Sequence, residues 1–215
     1  MFSRKNKGIN VLITAGATRE PIDVVRHISN MATGRLGIEI AKESYERGYG
    51  TTLLYGFGTV KVPEHIETIR FTTTQSLLEN VLEKINEVDV YISSAAVSDY
   101  APVGEDKKID SGKDELIIKL KPTPNVLKEA RAASKPGSIF VGFKLGYNLT
   151  EEKLIKQANE SYGSIVDLIV ANDLSKIDGN KHEAILLYKG EIMKRVYTKQ
   201  EIAKTIFDSI ESITK

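Results

Sequence analysis

The chain has 215 residues, enough for one well-buried domain, and its 30 Lys and Arg nearly cancel its 29 Asp and Glu, so no strong field points to nucleic acid or to an anionic membrane as partner. No apolar run approaches the roughly 20 residues of a membrane span, and the basic start MFSRKNKG leads straight into a short strand pattern instead of a signal-peptide core. There is no cysteine, which excludes disulfides and thiolate catalysis, so a cytoplasmic protein is expected and any sulfur chemistry must arrive with a substrate.

Short β-branched runs alternate with amphipathic segments, the pattern of a parallel sheet covered by helices. Strands are expected over 10–14, 51–55, 66–71, 88–93, 139–143 and 167–171. Leu36, Ile40 and Ser44 share a helical face after Gly34. Leu77, Leu78, Val81, Leu82 and Ile85 make a second stripe behind Thr74, the expected N-cap. Asn125 caps a third helix and Thr150 a fourth, with Glu151 and Glu152 at its positive end. At the C-terminal end, 184–188 and 191–197 flank Lys189 and Gly190 as a hairpin. Thr198 and Glu201 then open a helix that turns Ala203, Ile206, Phe207, Ile210 and Ile213 inward. The fold class is therefore α/β and Rossmann-like: a mainly parallel sheet, helices on both faces, and a C-terminal hairpin and helix. No repeat or low-complexity linker divides it, and 1–215 reads as a single domain.

Two connections break the pattern. Residues 15–33 are far longer than the 2–6 residues typical of a βα loop, and 101–114 (APVGEDKKIDSGKD) is a charged, glycine-bearing stretch. Both follow the carboxyl ends of strands, where open α/β sheets bind ligands.

Several residues in and around these loops suit phosphate and acyl chemistry. Gly34 and Gly37 stand at a helix start, either to offer N–H groups to a phosphate or to let the helix approach the sheet. Arg19 and Arg26 are placed to hold phosphate or carboxylate, although Arg19 with Glu20 or Asp23 also reads as a surface ion pair. Asn30 offers an amide to an acyl oxygen. In SSAAVSDY the small residues Ser94, Ala95 and Ala96 leave room against backbone. Asp99 reads as a ligand to ribose or to a magnesium-bound phosphate, or as a turn former before Pro102. Lys107, Lys108 and Lys113 are solvated charges or flap lysines that reach a reacting phosphorus. Lys121–Asn125 (KPTPN) precedes a helix start and Gly142–Lys144 (GFK) ends a strand, both at the ligand edge. His27, His65 and His182 have no metal spacing.

These motifs together resemble the phosphopantothenate–cysteine ligase family. The matching text is ITAGATREPIDVVRHISNMATGRLG, SSAAVSDY, KKIDSG, DELIIKLKPTPNVL, VGFK and DLIVANDLS, in family order over about 200 residues. The resemblance implies activation of the 4′-phosphopantothenate carboxylate as an acyl-cytidylate by CTP with Mg2+, then amide formation with L-cysteine and release of CMP. It implies a homodimer and, because nothing precedes the ligase-like text, a stand-alone enzyme. By motif, Asn30 orients the acyl group, Arg26 holds the substrate's phosphate or chain, and Ala96 touches substrate through its backbone. Asp99 binds the nucleotide or its magnesium. Lys108 neutralises the reacting phosphate. Gly16, Gly34, Lys121, Thr123, Pro124 and Phe143 line the nucleotide site.

The chain departs from the family text in places. Asp110 stands where the flap often has a lysine. SYGSIV precedes the DLIVAND strand without the usual lysines, leaving Lys153 and Lys156 on the preceding helix as substitutes. GFKLGYN is closer to eukaryotic members, which use ATP, so ATP is the rival co-substrate. Two other readings compete: a nicotinamide-dependent reductase, which would want G-x-G-x-x-G after the first strand and a ribose-binding acid after the second, and a non-catalytic nucleotide-binding module.

Overall fold

The computed structural model describes residues 8–104, 107–112, 114–179 and 181–214. At its centre lies β1 (Asn10–Ala15), paired in parallel with β4 (Gly50–Tyr55) on one side and β6 (Val90–Ser93) on the other. The parallel array extends through β5 (Glu67–Arg70) beyond β4, and through β9 (Ile139–Gly146) and β10 (Leu168–Asp178) beyond β6. The antiparallel strands β11 (Lys181–Tyr188) and β12 (Glu191–Thr198) complete an eight-stranded sheet in the order β12-β11-β10-β9-β6-β1-β4-β5.

Both faces of the sheet are covered, which is why the central strands read as continuous apolar runs. Val11, Ile13, Val90 and Ile92 face helices α1 (Arg35–Glu46) and α5 (Lys199–Ile213). Leu12 and Tyr91 face α2 (Thr74–Lys84), α3 (Val126–Ala133) and α4 (Glu151–Tyr162). The strand order reverses direction at β1, with α1 on one face and α2 on the other. The topological switch point, where open α/β sheets place their ligand crevice, therefore lies between the carboxyl ends of β1 and β6.

Asn125, Thr150 and Thr198 cap their helices as expected, each accepting from the N–H three residues on. Glu201 completes its motif one residue early, on the N–H of Tyr197 at 2.7 Å. Two expectations are corrected on α2. Its cap is Thr73, which exchanges hydrogen bonds with Ser76 in a capping box. Leu82 is exposed at 42% because it falls off the stripe that Leu77, Val81 and Ile85 bury. The hairpin between β11 and β12 turns on Lys189 (φ 50°) and Gly190 (φ 85°), the two left-handed residues of a type I′ turn. Strands β9 and β10 run past their expected ends at 143 and 171. In β10 the added length carries a register shift between Asn172 and Ile177, and pairing with β11 continues after the apolar text has stopped.

Candidate functional site

The first long connection leaves β1 at Gly16, whose φ is +80° and where a Cβ would lie 2.6 Å from the Phe57 carbonyl oxygen. Only glycine fits there. The chain then threads between two neighbours: Ala17 exchanges hydrogen bonds with Phe57 at 2.7 and 2.9 Å, Ala96 donates to the Gly16 carbonyl at 2.8 Å, and Thr18 donates to the Ala96 carbonyl at 3.2 Å. Both backbone groups of Ala96 are thus engaged in holding the crevice floor, and the residue is partly exposed. Ser94 donates its hydroxyl to the Thr14 carbonyl at 2.6 Å, tying the two strand ends together.

Residues 15–33 are not structureless. They fold into a small hairpin of β2 (Arg19–Pro21) and β3 (His27–Ser29). Arg19 does not pair with Glu20 or Asp23; its guanidinium lies 3.2 Å over the Phe57 ring, a cation–π contact. Glu20 and Asp23 are both buried, at 4% exposure each, and the expected surface ion pair is corrected. Glu20 Oε1 accepts from the Thr74 N–H at 2.8 Å and the Thr74 hydroxyl at 2.7 Å, satisfying an orphan donor of the first turn of α2. Asp23 Oδ2 accepts from Arg26 Nε at 2.9 Å and Nη2 at 2.6 Å. Arg26, first, and backbone donors hold the Asp23 carboxyl well below the usual carboxylate range.

Just beyond β3, Asn30 donates its amide to the Val97 carbonyl at 3.3 Å, which places it beside Ala96 at the crevice mouth. Beneath it, Ser98 and Thr18 bond side chain to side chain at 3.0 Å, and the Ser98 carbonyl accepts from Thr123 Oγ1 at 2.6 Å. The Asp99 carbonyl accepts from the Thr123 N–H at 2.9 Å. Thr123 thereby joins the strand-end loop after β6 to a second ribbon, β7 (Tyr100–Pro102) with β8 (Leu120–Pro122).

The exposed Asp99 carboxylate lies close enough to Tyr162 to add to the burial that raises that phenol's pKa. One carboxylate beside a phosphate site is how Mg2+ is usually held, with the remaining ligands from phosphate and water. Asp99 offers one exposed carboxylate of this kind, and among the described residues no cluster of three metal-binding side chains is found.

Lys108 is exposed in the flap. Its neighbour Ile109 is bound to the hairpin through Asp23 and Arg26 at 3.1 and 2.7 Å. Lys121 and Pro124 are exposed at the ribbon's exit, while Phe143 is half-buried on β9 against the α1 and α5 layer. Gly34 starts α1 at φ +76° and, like Gly37, sits where a Cβ would collide: with Tyr55 at 2.6 Å for Gly34 and with the Ala15 side chain for Gly37. Close packing favours glycine at both positions. Lys113 lies outside the described residues.

The structure thus gathers Asn30, Ala96, Asp99 and Thr123 around one opening and brings the Lys108 flap to Arg26. Sequence reasoning passed over the buried network of Thr18, Ser98, Thr74 and Glu20 and the role of Asp23. One signal was available for Asp23, which accepts from the N–H groups two and three residues on, at 2.9 and 2.8 Å, the local habit of aspartate in turns. A half-open pocket of about 150 Å³ lies away from this opening, between the start of α4 and strands β10 to β12. Its wall residue Asp173 is already saturated by Asn148, Leu149 and Ser175.

Residues 6–213 match the family model described as the DNA/pantothenate metabolism flavoprotein C-terminal domain. The chain is 35% identical over 214 residues, 98% of its length, to the coenzyme A biosynthesis bifunctional protein CoaBC of Methanocaldococcus jannaschii. It spans about half the length of the curated relatives it matches, 52% of that protein. Among solved structures it superposes on the DNA/pantothenate metabolism flavoprotein of Streptococcus pneumoniae with a TM-score of 0.88 at 31% identity, covering 95% of this chain and 99% of the other. It also superposes on a Cab2 variant in complex with phosphopantothenate-cysteine, with a TM-score of 0.76 and coverage of 96% and 87%. At 19% identity that likeness concerns the fold.

Proposed function

The chain belongs to the DNA/pantothenate metabolism flavoprotein C-terminal domain family, and from that premise we propose that it is a phosphopantothenate–cysteine ligase of coenzyme A biosynthesis, acting as a cytoplasmic homodimer with CTP. In the first step the 4′-phosphopantothenate carboxylate attacks the α-phosphate of CTP; the bond to the β-phosphate breaks and pyrophosphate leaves. In the second, the cysteine amine attacks the acyl carbon, loses a proton and displaces CMP to give the amide.

The observation that carries this reading is the placement of the Asn30 amide at the mouth of the switch-point crevice, 3.3 Å from the Val97 carbonyl and next to Ala96. An amide held there can turn toward an acyl oxygen and keep the carbonyl face open to an amine. Arg26 offers a guanidinium for the substrate's phosphate. Lys108 supplies a cation to the α-phosphate as its charge grows. Gly16 and Gly34 give close backbone approach, and Lys121, Thr123, Pro124 and Phe143 surround the nucleotide. Mg2+ held through Asp99 would offset charge on the triphosphate.

The test is pyrophosphate release with 4′-phosphopantothenate, L-cysteine, Mg2+ and each of the four triphosphates. CTP should give the highest kcat/KM, since a site committed to hydrogen bonds with one base rejects mismatched ones strongly. A higher value with ATP overturns the base assignment and leaves the reaction standing; binding without pyrophosphate release from any triphosphate overturns the ligase. Lys108→Gln should lower turnover on the order of 10²–10³-fold, as for loss of one preorganised charge partner, with little change in Tm for an exposed position.

A further inference from the structure

We propose that Asp23 is a positioning residue for Lys108, acting through Arg26 and the backbone of Ile109 to hold the flap against the β2–β3 hairpin. The inference rests on the ligase reading of Lys108. The Asp23 side chain has no solvent exposure, and each of its oxygens has a separate task. Oδ1 accepts from the N–H groups of Val25 and Arg26 at 2.9 and 2.8 Å, which shapes the turn of the β2–β3 hairpin. Oδ2 accepts from the Arg26 guanidinium at 2.6 and 2.9 Å and from the Ile109 N–H at 3.1 Å.

Arg26 Nη2 also donates to the Ile109 carbonyl at 2.7 Å. The carboxylate and the guanidinium therefore hold the N–H and the C=O of one flap residue, the residue next to Lys108. Charge-assisted bonds of this kind are roughly twice as strong as neutral ones and fix geometry as well as energy. A solvated lysine in a charged loop would need no such arrangement. A lysine that must meet a particular phosphate needs its backbone placed.

Asp23→Asn separates the two tasks. The amide oxygen can keep the bonds to Val25 and Arg26, while the amide N–H group turns a donor toward the Arg26 guanidinium and the Ile109 N–H, both donors themselves. Ile109→Pro removes the same contact from the flap side without touching the hairpin, so it covers the case in which Asp23→Asn does not fold.

Because the chain has no cysteine, Asp110→Cys carries a single spin label whose mobility reports flap docking on the nanosecond scale. The label should be restricted in the otherwise native protein and mobile in both variants. Each variant should lower kcat for pyrophosphate release on the order of 10²-fold with KM for cysteine unchanged. The double variant Asp23→Asn with Lys108→Gln should lose no more than Lys108→Gln alone. A label already mobile beforehand, mobility unchanged by both variants, or a double variant that loses the product of the two single effects overturns the proposal. If the protein releases no pyrophosphate at all, the ligase reading fails, and label mobility alone still decides whether Asp23 holds the flap.

Discussion

The crevice loops and the C-terminal unit of β11, β12 and α5 are held together by opposite means. The C-terminal unit buries Ala184, Leu186, Val196, Ile202, Ile206, Phe207 and Ile210 in one apolar layer with α1. The crevice buries Thr18, Glu20, Asp23, Thr74 and Ser98, polar groups that hold one another across long sequence gaps. Apolar burial is non-directional and tolerates small shifts; hydrogen-bonded polar networks are directional and fail when one partner goes. Stability is thus expected to reside mainly in the first region and site geometry in the second. The two should separate under mutation.

The largest expected effect lies in the apolar layer. Phe207 is fully buried and stacks on Tyr49 at 5.4 Å, so Phe207→Ala should destabilise by about 3–5 kcal/mol. Urea unfolding measures it, and KM values for the proposed ligase substrates should not move. A loss below about 1 kcal/mol, or a change in KM, would show that the division between the regions does not hold.

The same division explains what could be read from the text of the chain. The parallel strands, the Lys189–Gly190 turn and the caps at Asn125, Thr150 and Thr198 were legible because each signal is local: a period, a dipeptide, or a residue and its partner three places on. The two small ribbons were not, because Arg19–Pro21 and Tyr100–Pro102 are three-residue strands with no periodicity to detect. Glu20 and Asp23 were weighed only as alternative surface partners of Arg19, because Thr74 and Ile109, which they bind, lie 54 and 86 positions away. Asn30, Ala96 and Asp99 were singled out by residue type and loop position, the family resemblance gave each a role, and their meeting at one opening came from the strand order.

A second prediction concerns a polar residue buried within the apolar unit. His182 is 6% exposed, and among the described residues neither ring nitrogen has a hydrogen-bond partner. Burial, first, and the charge of Lys199 push its pKa down from 6.5 to about 4. The folded state therefore prefers neutral His182, and this contribution is fully present above pH 6.5 and lost as pH falls toward 4. Between pH 7 and pH 4.5 the loss should be roughly 2–3 kcal/mol at 1.36 kcal/mol per pKa unit. Asp173, lowered to about 2 chiefly by Ser175, acts below this window. Its contribution is present above its ordinary 3.8 and is lost toward 2. His182→Leu should flatten the stability profile between pH 7 and 4.5; an unchanged profile would assign the acid sensitivity to other groups.

The smallest effect is the sharpest comparison, because two threonines of similar energetic weight sit one in each region. Thr198 caps α5 by accepting from the Glu201 N–H at 3.1 Å, and Thr198→Ala should destabilise by about 1 kcal/mol. Thr123 donates its hydroxyl to the Ser98 carbonyl at 2.6 Å. Thr123→Val keeps the shape and the N–H bond to Asp99 but removes that donor, again for about 1 kcal/mol. The Ser98 carbonyl would be left with the longer contact from Thr74 Oγ1 at 3.4 Å, so the loop carrying Asp99 would shift against the ribbon carrying Lys121 and Pro124. KM for the triphosphate should therefore rise severalfold in Thr123→Val and stay constant in Thr198→Ala, although their midpoints in urea move together. Equal KM values in the two variants would remove the Thr123–Ser98 bond from the proposed nucleotide site and leave it as one more structural contact.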